Sequence, residues 1–109
     1  MKRIALLGMP NTGKSTLFNR ISGASARVGN WPGITVDLMS AKILIGGHIA
    51  ELIDLPGIYD LHGFSEDEQV VRHFLSKNAV DLVISCAIPE ILPNSKKREL
   101  RHVKLKHGI

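Results

Sequence analysis

The chain has 109 residues, 44% of them hydrophobic, and a formal net charge of +4, which suits one globular domain with a single core. Lys42, His48, Glu51 and Asp54 interrupt the longest apolar region, so no segment approaches the roughly 20 apolar residues of a membrane span. A lone cysteine, Cys86, excludes an internal disulfide and, with five histidines, gives no zinc pattern. These features exclude a transporter pore within this chain.

The positive charge is concentrated at the end of the chain. Six basic residues and one acidic residue lie in 94–109, so this tail carries +5 and residues 1–93 carry −1. Because the body is nearly neutral, we expect no nucleic-acid partner, and a solvated tail is favoured over an anion-binding one. Only four apolar residues separate Met1-Lys2-Arg3 from Gly8, too few for a signal peptide, so a cytoplasmic chain is expected.

The predicted elements alternate between strands and helices. In chain order they are a strand over 3–7, a helix over 15–22, a loop over 24–33, strands over 36–45 and 48–53, a helix over 66–77 and a strand over 80–87. Gly46-Gly47 is a two-residue hairpin signal, and Ser65 followed by three acidic residues is typical of a helix start. This order predicts the first half of a doubly wound α/β domain.

A phosphate-binding loop is indicated between the first strand and the first helix. The run Gly8-Met9-Pro10-Asn11-Thr12-Gly13-Lys14-Ser15 fits G-x-x-x-x-G-K-[ST]. Its glycines let backbone N–H groups face phosphate oxygens at a helix N-terminus. Lys14 supplies a mobile charge for the β- and γ-phosphates, and the Ser15 hydroxyl can ligate Mg²⁺. The pattern does not choose between ATP and GTP.

Two further elements are candidates for sensing the third phosphate. Asp54-Leu55-Pro56-Gly57 follows an apolar strand, where Asp54 can hold Mg²⁺ through water and the Gly57 N–H can approach a phosphate. By itself this D-x-x-G pattern is common. Thr35 can bring its hydroxyl to Mg²⁺ and its N–H to the γ-phosphate. The alternative is that Thr35 is only a β-branched residue that opens a strand.

Three runs resemble the translation-factor-related GTPases, and more closely the cytosolic G domain of bacterial ferrous iron transport protein B. They are 8–19, the phosphate loop continued to Asn19; 28–36, Val-Gly-Asn-Trp-Pro-Gly-Ile-Thr-Val; and 54–59, Asp-Leu-Pro-Gly-Ile-Tyr. The resemblance covers roughly residues 1–85. It implies a partial P-loop NTPase (small G-protein) fold of the α/β class, three layers with a mixed, mostly parallel sheet, and a missing C-terminal half. It assigns no side-chain role to Trp31.

The resemblance also implies a set of site residues. Those implied to bind guanine nucleotide are Gly8, Met9, Pro10, Asn11, Thr12, Gly13, Lys14, Ser15, Thr16, Gly33, Ile34, Thr35, Asp54, Leu55, Pro56 and Gly57. Those implied to act in catalysis are Asn11, Lys14, Thr35 and Gly57. The implied ligands are Ser15, Thr35 and Asp54 for Mg²⁺ and Asn11 for K⁺. Asn11 can instead be a turn residue that only shapes the loop.

Hydrolysis is expected to be slow. Ras-like proteins place a water-orienting glutamine after D-x-x-G, whereas Ile58 occupies that position and cannot hydrogen-bond water. By resemblance, a K⁺ held by Asn11 and backbone carbonyls of the loop around Thr35 would neutralise developing charge instead. His48, His62 and His73 lack carboxylate partners at ligand spacing and are interpreted as surface residues rather than an iron site.

The end of the chain departs from the family. No N-K-x-D or N-M-x-D base-reading motif follows Cys86, which suggests a truncated, frameshifted or fragmentary product: a partial G domain over 1–87 and a basic tail over 88–109. The alternative function is a degenerate phosphate-binding remnant with little base specificity. The full-length relative would add a membrane permease domain at the inner membrane. The sheet edge at 80–87 would be open unless a short amphipathic helix containing Leu92, Leu100, Val103 and Leu105 covers it.

Overall fold

The computed structural model describes residues 1–10, 13–59 and 63–86, together with the backbone of 101–105. Its strands are β1 (Lys2–Gly8), β2 (Arg27–Gly29), β3 (Leu38–Ile45), β4 (His48–Asp54), β5 (Leu82–Cys86) and β6 (Arg101–Leu105). Its α-helices are α1 (Lys14–Ser22) and α2 (Glu66–Lys77), and a 3₁₀ turn spans Gly23–Ser25. No helix in the described ranges has the length and apolar character needed to cross a membrane.

All six strands belong to one mixed sheet in the order β2-β3-β4-β1-β5-β6. The central strand β1 runs parallel to β4 and β5, and β5 runs parallel to β6. The hairpin strands β3 and β4 and the short pair β2 and β3 are antiparallel. Parallel pairing aligns Leu6 with Asp54 and Gly8 with Cys86, so three strand ends meet at one edge of the sheet. The expected mixed, mostly parallel sheet is confirmed.

Each face of the sheet carries its own core and its own helix, because successive strand residues point to opposite sides. Ile4 and Leu6 of β1 pack with Phe18 of α1. Ala5 of β1 packs on the other side with Phe74 of α2. Both phenylalanines are almost fully buried. The three-layer α/β arrangement expected from the resemblance is therefore present.

The tail differs from the expected helix. Over Arg101–Leu105 it forms β6, which pairs in parallel with β5 from Leu82 to Cys86. An uncovered strand presents unpaired N–H and C=O groups, and a further strand satisfies them where a helix would not. The spacing of Val103 and Leu105 by two residues is also the period of a strand. Leu92 and Leu100, the other residues of the expected helix, lie outside the described residues.

Smaller differences concern the segment before the hairpin. The expected loop over 24–33 contains the short strand β2, which pairs with the start of β3. The first hairpin strand begins at Leu38, two residues later than expected. The turn itself is as expected, because Gly46 and Gly47 both have positive φ angles, 55° and 81°. The boundary between a domain over 1–87 and a tail over 88–109 stays a prediction.

Candidate functional site

The candidate site lies at the edge of the sheet where β1, β4 and β5 end. Gly8, Asp54 and Cys86 are the last residues of these strands, and the parallel register pairs Gly8 with Cys86 and Leu6 with Asp54. The chain continues from Gly8 at this edge, and Gly13 precedes α1. Open α/β sheets bind ligands at the carboxyl ends of their strands, so the topology alone marks this edge.

The start of α1 is built differently from the start of α2. Gly13 is the N-cap of α1, in a left-handed conformation with φ of 81°, and it makes no side-chain cap hydrogen bond. At α2, by contrast, the Ser65 hydroxyl accepts a hydrogen bond of 3.2 Å from the Glu68 N–H. Because Gly13 has no side chain, it cannot cap the first N–H groups of α1, and the helix dipole adds partial positive charge there. This is the local structure that binds a phosphate group.

Lys14 and Asp54 form the central charged pair of the site. The Lys14 ammonium donates a hydrogen bond to Asp54 Oδ1, and Lys14 is only 8% exposed. Burial raises the pKa of Asp54 above its usual value, although the hydrogen bond and charge of Lys14 act in the opposite direction. The two residues are 40 positions apart and meet only because β1 and β4 are neighbours. A phosphate at the start of α1 would compete with Asp54 for the Lys14 charge.

Backbone hydrogen bonds link the D-x-x-G segment to the end of β1, where the phosphate loop begins. The Leu55 N–H donates to the Leu6 carbonyl at 3.1 Å, and the Ile58 N–H donates to the Gly8 carbonyl at 2.8 Å. A Cβ atom on Gly57 would lie 2.9 Å from the backbone nitrogen of Pro10. A side chain at position 57 would therefore push the two segments apart. Glycine at this position permits their close approach.

Ile58 is only 1% exposed and lies in the core beneath α2. Its side chain is thus committed to packing, which agrees with the expectation that residue 58 does not orient water. Ser15 and Thr16 lie in the first turn of α1 with exposed side chains. Both residues directly follow Lys14 in the chain, in the segment that the sequence assigned to Mg²⁺ and phosphate.

Thr35 lies against α2. A turn precedes it, in which the Ile34 N–H donates to the Trp31 carbonyl at 3.1 Å and Gly33 has φ of 75°. Thr35 is exposed, and within the described part of the chain no hydrogen bond links it to the phosphate loop. It shares a small cleft against α2 whose other lining residues are Gly33, Ile34, Glu66, Gln69, Val70 and His73.

The remaining expectations have different outcomes. Asn11 and Thr12 lie outside the described residues, so the K⁺ site stays a prediction. Among the described side chains no group of three or more His, Cys, Asp or Glu residues could hold a metal ion. His48 and His73 are exposed, and His62 lies outside the described residues.

Two residues were given no functional role from the sequence. Cys86 is fully buried, pairs in register with Gly8, and has a thiol pKa raised chiefly by burial. Trp31 packs against Phe74 of α2 and lies under the Arg3 guanidinium. The sequence feature that could have pointed to Cys86 was its position at the end of a predicted strand. For Trp31 it was the conspicuous aromatic residue in a Gly- and Pro-rich segment.

Comparison with known proteins gives one consistent family. The family model described as ferrous iron transport protein B matches residues 2–92. The Fe(2+) transporter FeoB of Synechocystis is 60% identical over 83 residues, which are 76% of this chain and 14% of that relative. The FeoB of Campylobacter jejuni is 46% identical over 83 residues, again 76% of this chain and 14% of the relative. The chain therefore spans about one-seventh of the length of these relatives.

Solved structures show the same likeness. The G domain of the T. maritima FeoB iron transporter superposes with a TM-score of 0.78 at 37% identity, covering 95% of this chain and 70% of that one. The cytosolic domain of the same transporter in its GMPPNP form gives a TM-score of 0.69 at 45% identity, covering 77% of this chain and 33% of that one. A GDP form of that domain gives 0.70, also at 45% identity, with the same coverage.

Proposed function

The chain belongs to the family of ferrous iron transport protein B, and from this premise we propose that it binds and hydrolyses GTP as the switch domain of a ferrous iron uptake system. The supporting observation is the arrangement at the end of β1. There the helix start behind the glycine N-cap, a buried lysine and a strand-end aspartate lie together at the phosphate loop. This combination suits a nucleoside polyphosphate held by its phosphates.

Different residues would bind different phosphates of the nucleotide. The backbone N–H groups at the start of α1 would bind phosphate oxygens, and Lys14 would turn from Asp54 toward the β- and γ-phosphates. Gly57 would present its N–H to the γ-phosphate. Its neighbour Ile58 holds this backbone in place, because the Ile58 N–H donates to the Gly8 carbonyl at 2.8 Å. The last phosphate would therefore be sensed by a segment in direct contact with the loop that binds the others.

The Mg²⁺ ion would be held by Ser15 and Asp54, and by Thr35 in the triphosphate state. The donor set fits the ion, because hydroxyl and carboxylate oxygens are the ligands that Mg²⁺ prefers. Asp54 lies beside Lys14, and Ser15, the residue that follows Lys14 in the first turn of α1, is exposed. When bound, the ion neutralises charge on the phosphates. Thr35 would have to leave its cleft against α2 to take part.

Guanine as the base is proposed from the relatives, since FeoB cytosolic domains of T. maritima have been solved in GDP and GMPPNP forms. The K⁺ requirement is proposed from Asn11. With Ile58 buried and unable to orient water, a cation beside Asn11 would supply the missing charge. The cytoplasmic face of the inner membrane is the proposed location, next to a permease domain in a longer relative.

A second candidate function is favoured by one observation: no N-K-x-D motif follows Cys86. Here the chain is a degenerate form that binds phosphates but reads the base poorly. It would bind di- and triphosphates of guanosine and adenosine with similar, weak affinity. The two candidates share the phosphate site and differ in base selection and turnover.

Titration of the chain with fluorescent GDP and GMPPNP in Mg²⁺, with ADP as competitor, tests both candidates. The GTPase proposal expects saturable binding that excess ADP does not displace. Lys14→Ala should abolish this binding, and Lys42→Ala is the matched control, because Lys42 is exposed on β3. Equal displacement by ADP would favour the degenerate remnant. Binding that survives Lys14→Ala would refute the phosphate-loop assignment.

The K⁺ part of the proposal has its own measurement. We expect phosphate release from GTP to be faster in K⁺ than in Na⁺ at equal ionic strength, and Asn11→Ala to remove this difference. Equal rates in the two salts, or an unchanged K⁺ effect in Asn11→Ala, would contradict the role of Asn11. Neither result would bear on the proposed binding of nucleotide.

A further inference from the structure

The hairpin of β3 and β4 extends beyond its neighbours at the edge of the sheet opposite the nucleotide site. The pairing of β1 with β4 begins at Lys2 and Ala50, and β2 pairs only with the start of β3. Residues 44–49, the hairpin tip, therefore have no neighbouring strand in the described sheet. The tip projects about 7 Å past the start of β1, and about 20 Å of strand separates it from Gly8 at the other edge.

The tip is apolar on both of its faces. Leu44 lies opposite Ile49 and Ile45 opposite His48, and opposite residues of an antiparallel pair point to the same side. Leu44 and Ile49 therefore share one face, and Ile45 lies on the other. These three side chains are 72%, 56% and 49% exposed, in that order. A hairpin with one solvated face carries polar residues there, so this distribution fits a tip that an apolar medium surrounds on both sides.

Positive charge lies at the base of the tip, and the tip itself contains no acidic residue. Lys2 at the start of β1 and Lys42 on β3 are both exposed. Among the described side chains neither lysine has an ion-pair partner. The nearby acidic groups contact Arg3 instead: Glu51 lies 3.6 Å from Arg3 Nε, and Asp81 accepts a hydrogen bond of 2.9 Å from the Arg3 N–H. The base of the tip is therefore positively charged.

A cavity of about 490 Å³ adds to the apolar surface of the tip. Its lining includes Ile45 of the tip together with Ile4 and Leu82, which belong to the core on the α1 face of the sheet. Lys2 lines the same cavity. Apolar surface thus continues from the tip along the α1 face, with a cation beside it.

We propose that the hairpin tip inserts into the surface of an anionic lipid bilayer, with Lys2 and Lys42 beside the lipid headgroups. Peripheral membrane anchors bury apolar side chains about 5–10 Å deep and attract anionic lipids with cations, and the projection of the tip matches this depth. A bilayer is favoured over a protein groove because it surrounds both faces of a narrow hairpin. The inference goes beyond the proposed function, since the tip and the nucleotide site lie at opposite edges of the sheet.

Sedimentation with large unilamellar vesicles tests the proposal. We compare vesicles of equal parts phosphatidylglycerol and phosphatidylcholine with vesicles of phosphatidylcholine alone. We expect the partition coefficient of the unmodified chain to be about tenfold higher on the anionic vesicles and to fall as the salt concentration rises. No binding to the anionic vesicles would overturn the proposal.

The double variant Leu44→Ser, Ile49→Ser separates the tip from the tail over 94–109, which carries +5 and also attracts anionic lipid. We expect its partition coefficient on the anionic vesicles to fall about tenfold, because two apolar side chains no longer enter the bilayer. Val28→Ser is the control, since Val28 is 64% exposed but lies on β2, and it should bind like the unmodified chain. Undiminished binding of the double variant would assign the attraction to the tail and overturn the role of the tip.

A fluorescent label distinguishes insertion from attraction at the surface, and it does not require the serine variants to fold. Cys86 is fully buried, so an environment-sensitive dye attached to the Ile49→Cys chain reports on the tip, and the labelled Val28→Cys chain is its control. We expect anionic vesicles to shift the emission of the dye to the blue at position 49 and to leave it unchanged at position 28. Unchanged emission at position 49, or equal shifts at both positions, would overturn insertion of the tip.

Discussion

Gly57→Ala tests directly whether the D-x-x-G segment and the phosphate loop depend on close backbone contact. The added methyl group would lie 2.9 Å from the nitrogen, 3.0 Å from the Cα and 3.1 Å from the Cγ of Pro10. Ordinary van der Waals contact for such atoms begins near 3.4 Å. Two of the three atoms belong to the backbone, so the clash cannot be relieved by rotating a side chain. The two segments must separate by about half an ångström.

The expected loss in the free energy of unfolding follows from the packing and the hydrogen bond that this separation disturbs. Overpacking of this kind costs about 1–3 kcal/mol. The hydrogen bond from the Ile58 N–H to the Gly8 carbonyl, 2.8 Å in the structure, lies between the segments and would stretch, at a cost of about 1 kcal/mol. We therefore expect Gly57→Ala to lower the free energy of unfolding by about 2–4 kcal/mol, and Tm by at least about 8 °C.

Urea unfolding followed by circular dichroism measures this change, and Gly29→Ala is the matched control. A Cβ on Gly29 would have no atom within 4 Å, and its φ is not in the left-handed region, so we expect a change within about 0.5 kcal/mol. Gly57→Ala should in addition weaken GMPPNP binding more than GDP binding. Equal stabilities for the two variants would refute the close contact between Gly57 and Pro10.

Three further predictions concern other parts of the fold. Ser65→Ala removes the hydroxyl that accepts from Glu68 N–H and donates to Glu68 Oε1 at 2.6 Å, and it should cost about 1 kcal/mol in urea unfolding; no change would contradict the capping role. Gly47→Ala forces an alanine to φ of 81° in the hairpin turn and should cost about 1–2 kcal/mol, and an unaffected midpoint would argue against that turn geometry. Because burial raises the pKa of Asp54, the folded chain holds the proton more tightly than the unfolded chain. The protonated Asp54 therefore contributes fully to stability below about pH 3.9, and this contribution is lost as the pH rises through the folded-state pKa. In Mg²⁺-free buffer, the free energy of unfolding of the unmodified chain, measured relative to that of Asp54→Asn, should fall as the pH rises from about 3.9 through the folded-state pKa. A relative free energy of unfolding that rises with pH would contradict a raised pKa of Asp54 in the folded chain.

Features that depend on a few consecutive residues followed from the sequence alone. The phosphate loop, the Gly46-Gly47 turn and the Ser65 helix start could be predicted because each requires particular side chains or φ angles at fixed offsets. The order of strands and helices followed from apolar periodicity. The family resemblance added the three-layer fold, which the structure confirms, and a set of site residues that stays a prediction.

Tertiary structure decided what depends on residues far apart in the chain. Only the neighbouring of β1 and β4 brings Lys14 to Asp54 and Gly57 to Pro10, and only the packing of α2 on the sheet gives Trp31 its partners. The end of the chain was mispredicted for the same reason. A short segment with apolar residues at mixed spacing can form a helix or a strand, and over Arg101–Leu105 the free edge of β5 selects the strand. Periodicity describes which face of an element is apolar, whereas the partner that covers this face is selected by the rest of the fold.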